Sequence, residues 1–328
     1  MAALLMNPLF AQSASSSFNL PQPQGGKLGI YIKNLSTGEV HSSGAEQAWY
    51  LASGVKLPVA LELLRQVDEK LLSLDDTVEL NAEDYVDGSG PTNDHPPGAK
   101  LSLRYLLEQM MVVSDNTASD LIIRRIGLEK VNSNVARLVP KGFFPITTLA
   151  DVRRLAYSGI SPRAMKLKGR ELLALKKEPE DKRARKLASI LNIPEDPAKS
   201  LDHAFNAYYA SNFNSASLEA YGELLRKLAE GEALKPATTK LLLSVMMRVE
   251  TGKDRIAAGL KDGLVWAHKT GTQYARVCDF GLVWEAKNPE RKFVVASCAS
   301  GFASTAAAER SLRDLGDTIN QLFPRSEE

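Results

Sequence analysis

The sequence is poor in the residues that build metal sites and disulfide scaffolds. Its 328 residues include two cysteines and four histidines, and neither set has the spacing of a zinc module or a disulfide-stapled domain. His41, His95, His203 and His268 are scattered, so the sequence implies no metal and no cofactor. A G-x-S-x-G elbow and a P-loop are both absent. Charge of one sign is lacking too. The formal net charge is +2, which gives no reason to invoke nucleic acid as a partner. No apolar run reaches the length of a transmembrane span, and the first one is broken by Asn7 and Pro8. Internal repeats are missing as well.

What is present is an ordinary globular composition, 44% hydrophobic and 24% charged, long enough for one large domain or two intimate ones. The opening "MAALLMNPLFAQSASSS" looks like the end of a secretory signal peptide, with Ala11 and Ser13 at cleavage-type spacing. The positively charged start is missing, since the first charge is Lys27; a plain tail is the alternative. Export, to the periplasm or beyond, is the expectation. Cys278 and Cys298 flank a hairpin pattern whose register, centred near residue 288, sets them almost opposite. They form either a disulfide in an oxidising compartment or two buried thiols.

After the segment 1–26, "KLGIYIKNLSTGEVHSS" reads as two strands joined by a turn. "SLRYLLEQMMVV" and "SLEAYGELLRKLAEG" read as helices capped by Ser102 and Ser217, the second stopped by Gly231. Three apolar strands follow from Gly263 to Ser300, and an amphipathic helix closes the chain. Strands at both ends with helices between predict an α/β domain from residues 27–64 with 250–328, and an all-α domain from 65–249. A basic helical insertion is expected at about 160–200. From Arg163 to Lys186 there are ten Lys/Arg against four Asp/Glu, which reads as a solvated helix or as a contact for an anionic surface.

One apolar helix carries an oddity. In "YLASGVKLPVALELL", Ser53 and Lys56 share a face, and burying a lysine is costly unless it is paired or loses its proton. A hydroxyl beside such an amine is what nucleophilic acyl transfer needs. Ser114-Asp115-Asn116 follows a predicted helix, and Lys269-Thr270-Gly271 ends an apolar strand. Three short motifs in that order and context do not read as chance.

From Lys27 to the C-terminus the chain resembles the class A β-lactamases and penicillin-binding serine hydrolases, on "ASGVKLPVA", "GSG" at 88–90, "MMVVSDNTASDLI", "ETGKDRIAAGL" and "HKTGT". The resemblance implies an α+β fold, an antiparallel sheet flanked by helices and packed on an all-α domain. It implies Ser53 as nucleophile, Lys56 as base, Ser114 as proton relay and Asn116 as partner of the substrate amide. Lys269 with Thr270, Gly271, Thr272 and Arg255 would bind the substrate carboxylate side. The backbone N–H groups of Ser53 and Thr272 would form the oxyanion hole.

Two departures stand out. The glutamate such enzymes use to hydrolyse the acyl-enzyme has no counterpart at the expected spacing; Asp202, in "DHAFN", is the nearest match and is taken as the deacylation base. Asp120 replaces a customary asparagine. The first reading is therefore a monomeric, class A-like β-lactamase acting on a small β-lactam or an acyl-D-Ala compound. A D-Ala-D-Ala peptidase or esterase of the same fold is the alternative, and a non-catalytic penicillin-binding module the third.

Overall fold

The computed structural model describes residues 18–196 and 200–323; the signal-like run at 1–17 lies outside the described residues. Strands β1 (Lys27–Asn34) and β2 (Val40–Ser43) form the predicted hairpin. Short strands follow: β3 (Trp49–Tyr50), β4 (Thr77–Glu79), β5 (Lys100–Ser102) and β6 (Ser215–Ala216). The long strands β7 (Leu264–Gln273), β8 (Arg276–Glu285) and β9 (Asn288–Ser300) complete one antiparallel sheet in the order β2-β1-β9-β8-β7. The sheet is thus assembled from both ends of the chain. The interior of the chain is not wholly helical, since β3 pairs β6 and β4 pairs β5.

The helices before the insertion are α1 (Lys56–Asp68), α2 (Leu103–Val112), α3 (Asn116–Ile126), α4 (Leu128–Leu138) and α5 (Leu149–Ser158). The basic segment forms α6 (Gly169–Lys177) and α7 (Glu180–Leu191), and α8 (Leu201–Ala210) follows it. Then come α9 (Leu218–Ala229), α10 (Pro236–Met246), α11 (Ile256–Gly259) and α12 (Thr305–Ile319). Ser102 and Ser217 cap α2 and α9 by accepting from Tyr105 N and Ala220 N, the exchange that satisfies otherwise orphaned donors.

Period-2 alternation divides the sheet's side chains between two cores. Phe293 and Val295 of β9 face Leu312, Leu315 and Ile319 of α12, whereas Val294 and Ala296 face the large core shared with α1 and α9. Each of the larger of these fully buried side chains contributes about 1.5–3 kcal/mol. Cys278 and Cys298 are Cα partners across β8 and β9 and are joined as a disulfide on the large-core side. In this order of strands β7 is an edge. Its free side faces the start of α1 and the α2–α3 junction, which makes a cleft between sheet and helices.

Candidate active site

Ser53 lies in a single 3-10 turn, Ala52–Val55, directly before α1. The turn is held from below, where Tyr221 donates its hydroxyl to Gly54 O at 2.7 Å and stacks on Phe280. β7 presses on it from the side. A Cβ at Gly271 would stand 2.2 Å from Leu51 O, so the third position of Lys-Thr-Gly must be glycine for the strand to approach this closely.

Lys56 is the first residue of α1 and is fully buried. Its Nζ donates to Ser53 Oγ at 3.1 Å, Ser114 O at 2.6 Å, Ser114 Oγ at 3.1 Å and Asn116 Oδ1 at 2.7 Å. Every one of these acceptors is neutral. Burial therefore dominates and pushes the Lys56 ammonium down to about 7, against the weaker pull of Asp115 and Asp120.

Ser114 adopts a left-handed conformation, φ 64°, which is uncommon for a residue with a Cβ. Asp115 holds it in place by capping α3 through Ala118 N and accepting Thr92 N, both at 2.9 Å. The strained turn aims Ser114 Oγ at Lys269 Nζ as well, 3.0 Å away. Lys269 is fully buried, and burial first, then the neighbouring Lys56 and Arg255, lower its pKa well below the ordinary lysine range. Asn116 is oriented at both ends, since its Nδ2 donates to Asp87 O at 2.6 Å.

Thr270 and Thr272 line the cleft, which encloses about 920 Å³ together with Ser53, Ser114 and Asn116. Arg255 does not line it. The residue is 3% exposed, and its guanidinium sits behind β7, donating to Thr272 Oγ1 at 2.6 Å and Cys278 O at 2.9 Å, with Glu309 alongside. Arg255 thus reaches the cleft through Thr272.

Asp202 lines the same cleft without touching the nucleophile. Its carboxylate accepts a short hydrogen bond from Tyr274 OH, and no hydrogen bond joins it to Ser53, Lys56 or Ser114. The spacing argument that selected Asp202 ran along the chain and could not register that the insertion carries α8 to the far end of the cleft. Asp120, the other departure, accepts from Leu149 N at 2.7 Å and Ala150 N at 2.9 Å, so it anchors the start of α5. Helix α5 in turn carries Arg153, whose Nε pairs with both Asp87 oxygens at 2.8 and 2.9 Å on the cleft wall. Asp87 was missed by sequence reasoning, although it directly precedes the quoted Gly-Ser-Gly. His268 is paired with Asp279 at 2.7 Å in the sheet, away from the cleft lining.

The model of the family described as "Beta-lactamase enzyme family" matches residues 14–323. The chain is 26% identical to a β-lactamase of Streptomyces albus G over 277 residues, 81% of this chain and 70% of that protein. In structure it is similar to a β-lactamase from Sphaerobacter thermophilus DSM 20745, with TM-score 0.65, 24% identity, and 92% and 94% of the two chains covered. It is also similar to PBP-A, solved as a mutant in an acyl-enzyme complex with penicillin G, with TM-score 0.66, 21% identity and 90% of each chain covered. With the motif residues gathered around one cleft in that fold, the chain belongs to the β-lactamase enzyme family, as a serine β-lactamase-type hydrolase.

Proposed function

We propose that Ser53 opens the β-lactam amide by forming an acyl-enzyme, with Lys56 as its base. The observation that carries this is the buried Lys56 amine, 3.1 Å from Ser53 Oγ and brought to about 7. In its unprotonated form, which a pKa of about 7 makes substantially populated near neutral pH, Lys56 accepts the Ser53 proton as the Oγ–carbonyl bond forms. When the C–N bond breaks, Ser114 gives a proton to the leaving nitrogen and is resupplied by the amines on its two sides. The N–H groups of Ser53 and Thr272 receive the developing oxyanion. Thr270 and Thr272, the latter braced by Arg255, hold the substrate carboxylate, while Lys269 supplies Ser114 and Asn116 holds the amide of the acyl side chain.

Release of the acyl group is the distinguishing step. Among the described residues no carboxylate is hydrogen-bonded to Ser53 or Lys56. That favours a second reading, a D-Ala-D-Ala peptidase or esterase that turns β-lactams over slowly. The Cys278–Cys298 disulfide supports export to an oxidising compartment such as the periplasm. A time course with fluorescent penicillin tests both readings. Wild type should take up covalent label and Ser53→Ala none; equal labelling of the two removes Ser53 from the chemistry. Label shed within seconds supports the β-lactamase reading, and label persisting for hours supports the slow one.

A further inference from the structure

The cleft has two unlike ends. At one, Thr270 and Thr272 of β7 face Thr251 and Ser304, with Lys269 and Arg255 close behind. At the other, the helical wall and the sheet wall touch. Tyr274, in the β7–β8 turn, donates its hydroxyl to Asp202 on α8 and stacks on Phe205, ring centroids 5.4 Å apart and planes 18° apart. Tyr209 donates its hydroxyl to Tyr274 O at 2.7 Å, and the Arg276 guanidinium lies 4.5 Å over the Tyr209 ring. Four independent contacts therefore tie α8, which follows the basic insertion, to the turn of the substrate-binding hairpin.

A substrate with its carboxylate at Thr270 and Thr272 and its reacting carbonyl at Ser53 must send its acyl side chain the other way, past Asn116. Tyr274, Phe205 and Asp202 line that same cleft with Ser53 and Asn116. We propose that Tyr274, held by Asp202 and Phe205, is the end wall of the acyl-side-chain subsite and restricts the enzyme to acyl donors with compact side chains. The inference rests on the Ser53 acylation proposed above. It assigns to Asp202 a positioning role, and to the insertion the delivery of α8.

The test compares acylation rate constants for benzylpenicillin and piperacillin, which share a nucleus and differ in acyl-side-chain length. Wild type should favour benzylpenicillin by at least about tenfold, the scale on which a closed pocket discriminates, and Tyr274→Ala should bring the two within about threefold. Tyr274→Phe, which keeps the ring and its stack on Phe205 but loses the hydrogen bond to Asp202, should narrow the preference to the same extent as Asp202→Ala. Asp202→Ala, which frees the ring, should narrow the preference as Tyr274→Ala does. Discrimination that is absent in wild type, or unchanged in Tyr274→Ala, overturns the wall while leaving Ser53 acylation intact. A longer acyl-enzyme lifetime in Asp202→Ala with the preference unchanged would overturn the positioning role. Failure of both penicillins to acylate Ser53 overturns the underlying reading and the wall with it.

Discussion

Lys56 and Lys269 donate to the same oxygen: Ser114 Oγ lies 3.1 Å from one Nζ and 3.0 Å from the other. The first amine comes from the helical side of the cleft and the second from the edge of the sheet. Each is buried, and burial first, then the proximity of Lys56, lowers the Lys269 pKa. Two ammonium groups on one hydroxyl repel, so holding one amine neutral is the less costly state. In the acylation proposed above, this arrangement would supply a base and a proton donor from two residues of the same type.

Acylation should therefore follow the protonation of Lys56. Its ordinary pKa near 10.4 would leave almost no free base at neutral pH, whereas the buried amine titrates at about 7. The acylation rate constant is expected to fall about tenfold per pH unit below that value and to level off above it. A profile that keeps rising to about pH 10, where an ordinary lysine titrates, would show by stopped-flow with a chromogenic β-lactam that Lys56 is not so depressed.

Gly271→Ala should disable the site at modest cost in stability. The added methyl would lie 2.2 Å from Leu51 O, against the backbone that leads into the Ser53 turn. Overpacking of this kind costs about 1–3 kcal/mol, while a shift of about 1 Å at the nucleophile costs about a hundredfold in rate. Denaturant unfolding and acylation kinetics on the same variant separate the two, and a fully active variant would show that the close approach is dispensable.

The stability of Asp120→Asn relative to wild type should improve as pH rises, even though the amide gives up one of the two backbone N–H bonds the carboxylate accepts. Burial raises the Asp120 carboxyl to about 7, against the backbone N–H groups of Leu149 and Ala150 that lower it. The folded state thus binds its proton more tightly than the unfolded chain, whose aspartates titrate near 3.9. Stability from this group is complete below the unfolded value and is lost as pH rises through about 7. The Tm of Asp120→Asn relative to wild type should rise between about pH 4 and about pH 7 and stay constant beyond. A Tm difference independent of pH would show that this carboxyl does not titrate near 7 in the folded protein.

Opening the Cys278–Cys298 bond should lower unfolding stability by about 2–3 kcal/mol, as for loops of comparable length; the two residues are 20 apart. Urea unfolding with and without a phosphine reductant measures it. The bond lies one strand in from β7, and Arg255 donates to both Gly271 O and Cys278 O. Reduced protein should therefore also bind carboxylate-bearing β-lactams less well, whereas a double Ser variant of unchanged stability would make the bond incidental.

Local patterns made much of the fold legible. Alternation identified the strands, serine caps placed α2 and α9, and the hairpin register set Cys278 opposite Cys298. These features depend on neighbours in the chain, where periodicity and hydrogen-bonding capacity act directly. The oddity of a lysine inside an apolar helix also survived as a physical fact, since Lys56 is fully buried.

What tertiary structure decided concerns residues far apart in sequence that share one point in space. Spacing put Arg255 with Thr270 and Thr272 at the substrate carboxylate; only the fold showed that its guanidinium donates to Thr272 Oγ1. Spacing proposed Asp202 as a base; what the fold added is the hydrogen bond its carboxylate accepts from Tyr274, 72 positions away. Asp87 and Arg153, 66 positions apart, became visible only as a pair on the cleft wall. By itself the sequence proposed which side chains carry acyl-transfer chemistry, because a hydroxyl and an amine three residues apart in a helical turn come side by side. Which groups brace, line or close the cleft was decided by the fold, because those partners are set by how the insertion packs against the sheet edge.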